Sequence, residues 1–170
     1  ALAKYNLRMH SGLYTDMNAI RKDEELDEIH SIYVDQWDWE MLIEEKDRNL
    51  EFLKSIVTKI YNVLRETEIF IQNEYPNLAP KLGNEIYFIT SQELLDMYPD
   101  LSSKERENKI VKEKKAVFLL QIGKILSNGN KHDGRSPDYD DFELNGDILV
   151  YNPVLDSAFE GIKYGSLMYP

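Results

Sequence analysis

An α+β fold, an antiparallel or mixed sheet with helices packed against it, is predicted from three features of the chain. Two β-branched and aromatic runs, residues 13–20 and 31–39, flank a charged stretch, which reads as a hairpin. Apolar residues recur at helical spacing between 46 and 74. Strand-like and helix-like segments then alternate without the regularity of βαβ units or of repeats.

Each element has its own justification. Residues 13–20 alternate and end at Arg21, and Lys22 to Glu28 place six charges in seven residues, the composition of a loop tip. In 31–39 polar side chains interleave with Ile32, Val34, Trp37 and Trp39. From 46 to 74 the apolar positions are Leu50, Leu53, Ile56, Val57, Ile60, Val63, Leu64 and Phe70, and Pro76 and Pro80 mark the end. Residues 85–89 read as a strand. Ser91 is expected to cap a short helix through Tyr98, and Ser103 a charged helix over 104–115. Residues 116–123 fit a buried strand, 127–141 a polar Gly- and Asp-rich loop, and 147–150 a strand stopped near Pro153.

Composition narrows the function. The 170 residues include 11 Tyr, 6 Phe and 2 Trp, too aromatic for a disordered chain and enough for one core. A net charge of −11 is opposite to what phosphate neutralisation needs, so nucleic acid is not an expected partner. No apolar run reaches bilayer length, and no membrane association is expected. Without cysteine there is neither a disulfide framework nor a thiolate zinc site. These features predict a soluble, cytoplasmic domain with acidic groups to offer a cation or an amine. Both ends, at Ala1 and at Tyr169-Pro170, read as cut through structure, so the chain is expected to be part of a larger protein or to omit segments.

Four constellations carry possible chemistry. Arg21, between a strand end and the loop with Asp23 and Glu24, has a donor fork suited to a phosphate or carboxylate; the pattern alone favours a surface arginine paired with its acidic neighbours. Strand geometry puts Gln36, Asp38 and Glu40 on one side and Asp35, Trp37 and Trp39 on the other. An amide with carboxylates suits a zwitterion, unless that side is solvated. The 132–141 loop has four acids in nine residues, Asp133, Asp138, Asp140 and Asp141, but not the spacing of an EF-hand, and His132 reads as an ordinary loop histidine. Asp147 at a strand start and Glu160 beyond Pro153 are of the type that holds Mg²⁺ beside ATP. There is no P-loop and no GxGxxG.

The runs Gly12–Arg21 and His30–Glu40 strongly resemble ammonia-dependent asparagine synthetase, the aspartate–ammonia ligase family. So do Thr90-Ser-Gln-Glu-Leu-Leu, Tyr98–Leu101, Ser136–Asp141 and Leu144–Val154, spread over nearly the whole chain. The resemblance implies a single catalytic-core domain over 1–170, a mostly antiparallel sheet flanked by helices as in class II aminoacyl-tRNA synthetases. It implies ATP-dependent amidation of L-aspartate by ammonia through an adenylate, with Mg²⁺, in a cytoplasmic homodimer when full length. By the same resemblance Arg21 grips the α-phosphate, and Asp23 and Glu24 lie near the adenine. Gln36 orients the substrate, Asp38 and Asp140 line the amino-acid pocket, and Asp147 and Glu160 hold the metal.

The family pattern also carries a region before Ala1, a longer loop between Asp141 and Phe142, a Ser-rich strand after Glu160 and a Gly-rich third motif with an ATP-binding arginine; none is found here. A non-catalytic paralogue or fragment that binds aspartate or an adenylate is the alternative. A tRNA synthetase core is disfavoured by the acidic balance.

Overall fold

The structure, a computed structural model, describes residues 2–27, 30–135 and 140–164. It divides into two compact units, residues 1–48 and 49–170.

The first unit is built on a hairpin. After a short helix α1 (Leu2–Tyr5), strand β1 (Gly12–Ile20) pairs antiparallel with β2 (Tyr33–Met41) from Gly12↔Met41 to Ile20↔Tyr33. Nine β-rich positions on each side, joined through the charged stretch, make the ladder in-register throughout. Backbone bonds between Arg21 N and Ile32 O (2.7 Å), and between His10 N and Leu42 O (2.8 Å), extend it at both ends.

The second unit opens with α2 (Leu50–Glu74), capped by Asn49, whose side chain accepts from Phe52 N at 2.9 Å. Leu53, Ile56, Val57 and Tyr61 are buried at 3–4-residue spacing. Val63 and Phe70, expected on that face, are instead exposed, so the buried stripe is narrower than the apolar pattern. The return segment is bound back to the helix: Tyr61 Oη donates to Gly83 O at 2.7 Å, and Lys81 N donates to Glu68 at 2.7 Å.

Four strands follow in the order β3-β4-β5-β6: β3 (Tyr87–Thr90), β4 (Ala116–Leu120), β5 (Gly146–Asn152) and β6 (Ser157–Tyr164). β3 and β4 are parallel, joined through helices α3 (Ser91–Met97) and α4 (Ser103–Lys114); the other neighbours are antiparallel. The α+β class is as predicted. β6 is a further strand after Pro153, and it carries Glu160.

Two helix caps fall one residue earlier than expected. Thr90 caps α3 and Ser102 caps α4, each in a reciprocal box with the glutamate three residues on, Glu93 and Glu105. A box begun at Ser91 or Ser103 would meet Leu94 or Arg106, which cannot return the bond. Ser91 is buried and donates to Gln121 O at 2.9 Å. The expected strand 116–123 stops at Leu120, because Gln121 takes a left-handed φ of 61°.

All five β4 residues are buried, with helices over both faces. Val117 and Leu119 join Ile89, Leu94, Ile110, Val111 and Leu149 in one core; Ala116, Phe118 and Leu120 join Leu53, Val57, Tyr61 and Ile148 in the other. Burying each such side chain contributes about 1.5–3 kcal/mol. The Gly146 backbone lies against this strand: a Cβ there would overlap the Leu119 carbonyl and come within 2.7 Å of the Phe118 ring. Gly146→Ala should therefore destabilise the second unit by about 1–3 kcal/mol, read as a lower urea midpoint at unchanged slope.

Candidate functional site

The hairpin positions Arg21 one residue beyond the last pair of the ladder. Its backbone is held by Ile32, while its half-exposed guanidinium donates to Glu24 Oε2 at 3.0 Å. Asp23 is exposed next to it. This is the arrangement read from the sequence, a cation anchored by the sheet at the mouth of a loop, and the pairing with an acidic neighbour is present as well.

The alternation of β2 is also as read. Asp35, Trp37 and Trp39 face Asn18, Asp16 and Tyr14 across the ladder; Trp37 Nε1 donates to Asp16 at 3.1 Å, and Asn18 donates to Asp35. On the other side Gln36 is opposite Met17 and Asp38 opposite Thr15. Gln36 and Glu40 are half-buried. Asp38 is exposed and accepts from the Trp39 backbone at 2.9 Å. Arg21, Asp23, Glu24, Gln36 and Asp38 belong to the first unit; Asp140, Asp147 and Glu160 belong to the second.

In the second unit the strand register puts Asp147 and Glu160 on neighbouring strands, each opposite a different residue, Lys163 and Leu149. Asp147 is opposite Leu119 at the start of β5 and precedes Leu149 by two residues, so both project to the same face. Glu160 is opposite Leu149 on β6, across a bulge. Two carboxylates on neighbouring strands are an oxygen-only donor pair, the kind that holds a small hard dication while phosphate oxygens complete its shell. The two residues therefore fit such an ion in donor chemistry. Among the described residues no group of three or more His, Cys, Asp or Glu comes together as a metal site. The acidic loop contributes Asp140, half-buried, and Asp141, which accepts from Glu143 N at 2.9 Å; Asp138 lies outside the described residues.

Asp147 is buried and ion-paired with Arg135, itself almost fully buried. The same turn is braced by Asn145, fully buried, whose amide bonds both backbone groups of Ile122 at 2.8 Å. Sequence reading assigned Arg135 and Asn145 no role. Asn145 sits within the Leu144–Val154 run and Arg135 twelve residues before its partner, and neither spacing signals a contact.

A second buried polar contact is made against α4. His132 is 5% exposed, and its Nε2 is 2.9 Å from Glu107 Oε1. A carboxylate only accepts, so Nε2 carries the proton. Lys104 takes the other oxygen at 3.1 Å. Burial works to raise the Glu107 carboxyl, but the His132 bond and the Lys104 charge outweigh it and hold it below the ordinary 4.5. A carboxylate with a lowered value lends stability that is complete above about 4.5 and is lost as pH falls through the folded value. Glu107→Gln should therefore give a flatter loss of stability with acid than the wild-type chain, measured as denaturant midpoints between neutral pH and pH 3. Parallel acid limbs would contradict the direction of this shift.

An apolar groove of about 470 Å³ between α2 and strands β5 and β6, lined by Leu64, Ile71, Leu82, Val150, Phe159 and Ile162, includes none of the candidate site residues. No helix among the described residues is long and apolar enough to cross a membrane.

The described residues thus form an α+β protein, with an arginine at the end of a hairpin in the first unit and acidic residues on two neighbouring strands in the second. The profile of the aspartate–ammonia ligase family (AsnA) matches residues 1–165, and the chain belongs to this family. It is 64% identical over 160 residues to aspartate–ammonia ligase of Clostridium tetani, covering 94% of this chain and 47% of that protein. It is 56% identical over 165 residues to aspartate–ammonia ligase of Ruminiclostridium cellulolyticum, covering 97% and 49%. With the Mycoplasmoides gallisepticum aspartate–ammonia ligase the identity is 56% over 162 residues, covering 94% and 50%. The chain thus spans about half the length of the curated relatives it matches.

Proposed function

We propose that the full-length protein makes L-asparagine from L-aspartate, ammonia and ATP, releasing AMP and pyrophosphate. The family match over residues 1–165 carries this reading. The mixed, mainly antiparallel sheet with helices on both faces of β4 supports its comparison with the class II aminoacyl-tRNA synthetase core.

In the first step a side-chain carboxylate oxygen of aspartate attacks the α-phosphorus of ATP, and the bond to pyrophosphate breaks. Arg21, with its backbone fixed by the ladder and its guanidinium half-exposed, meets the α-phosphate and offsets the charge that grows there. Asp23 and Glu24 flank the adenine, and Glu24 holds the Arg21 fork in line. Gln36 orients aspartate, and Asp38 and Asp140 take its ammonium. Asp147 and Glu160 would hold Mg²⁺; when bound, the ion supplies Lewis-acid neutralisation of the phosphates. In the second step ammonia attacks the acyl carbon and AMP leaves. Ammonium must first lose a proton, and Asp38 or Asp140 receives it. The working form is a cytoplasmic homodimer.

Two measurements test this. The family and the relatives are named as ligases of aspartate and ammonia. Full-length enzyme should form AMP, pyrophosphate and asparagine with ammonium and show no comparable rate with glutamine. Release of ADP and phosphate would refute the adenylate. Arg21→Ala should lower the rate of adenylate formation about a hundredfold or more, the loss of roughly 3 kcal/mol of transition-state stabilisation. A near-normal rate would return Arg21 to the role of a surface residue paired with Glu24.

A further inference from the structure

We infer that the buried His132–Glu107 pair is a positioning latch that holds Arg135 on the Asp147 carboxylate; the inference rests on the reading of Asp147 as part of the nucleotide site. The chain from Ile125 to Lys131 is closed on itself by an antiparallel bridge and by the bond from Leu126 N to Asn130 O. His132 then leaves this turn and enters the protein, its ring completely buried against Glu107 of α4. Asp133 and Gly134 return to the surface, with Gly134 N donating to the Asp133 side chain. Arg135 goes inward again, to Asp147 of β5. Two buried anchors three residues apart therefore tie one exposed arch to two different elements, and His132 is the anchor that sets where Arg135 begins.

Both anchors give up stability. His132 Nδ1 and Arg135 Nε are buried without a hydrogen-bond partner among the described residues. Each orphaned buried polar atom is costly, and replacing such pairs by apolar residues is often neutral or stabilising. Burial at that expense is expected where a defined charge geometry is used, because a salt bridge deprived of water keeps one arrangement. The contact also sits on a rigid base, since α4 packs Ile110 and Val111 into the core that holds Leu149, two residues from Asp147. Glu107 is fixed in turn by Lys104, which occupies its second oxygen. His132 and Glu107 touch no substrate in this reading; they act through Arg135.

The test uses the full-length protein with His132→Ala, Glu107→Ala and the conservative His132→Gln, whose side-chain amide can still donate to Glu107. Exchange of the Arg135 guanidinium protons that bond Asp147, followed by NMR, is expected to quicken at least tenfold in His132→Ala and to return near wild type in His132→Gln. Exchange unchanged in His132→Ala overturns the latch. In turnover, His132→Ala should raise the KM for ATP with Mg²⁺ about tenfold and leave the KM for aspartate within about twofold. Equal losses in every parameter, or an unchanged KM for ATP alongside faster exchange, would reduce the pair to ordinary stabilisation and overturn the positioning role. If His132→Ala does not fold, Glu107→Ala breaks the same contact from the helix side and is read by the same criteria. If the wild-type protein forms no AMP, the proposed function fails on its own account, and the exchange data alone decide whether the latch exists.

Discussion

The burial of β4 on both faces governs the second unit. A strand with five consecutive buried residues has no polar side to turn to water, so helices must cover it twice, α2 on one side and α3 with α4 on the other. Its backbone polar groups are satisfied by β3 and β5. Once that sandwich forms, the Leu119↔Asp147 pairing brings a carboxylate to a buried strand end, where water cannot solvate it. Arg135 is the compensation, because an isolated buried carboxylate would be far more costly than a paired one.

From that constraint the rest of the local design follows. Gly146 is required where the β5 backbone closes on Leu119 and Phe118. Asn145 saturates both backbone groups of Ile122 just where β4 gives way to the left-handed Gln121. The parallel β3–β4 pair needs a crossover, and the two capped helices α3 and α4 provide it. α4 thereby becomes the platform for Glu107, and hence for His132. The hairpin of the first unit works by a different principle. Its ladder is long and in-register, and it holds the Arg21 backbone through Ile32 while the side chain reaches outward.

Much of this was legible along the chain. The hairpin, the long helix, the two short helices and the strands near 87, 116 and 147 follow from period-2 and period-3.6 patterning, which is local and survives in any compact packing. The separation of Gln36 and Asp38 from Trp37 and Trp39 is likewise a property of the pleat alone. The caps were misplaced by one residue although the Thr90–Glu93 and Ser102–Glu105 boxes stand openly in the sequence; the reciprocal glutamate was the signal to weigh. The buried stripe of α2 was overestimated because periodicity shows which residues could share a face, not how far the sheet extends beneath it.

The sequence by itself therefore determined the element types, the end of the first strand at Arg21 and the family to which the chain belongs. Those depend on near-neighbour spacing and on long matching runs. Only the tertiary structure decided that Glu160 stands on a strand beside Asp147, that Arg135 neutralises Asp147 across twelve residues, and that His132 is buried against a helix 25 residues earlier. Such pairings are set by sheet register and by the exclusion of water from charged groups. Neither quantity exists until distant segments have packed.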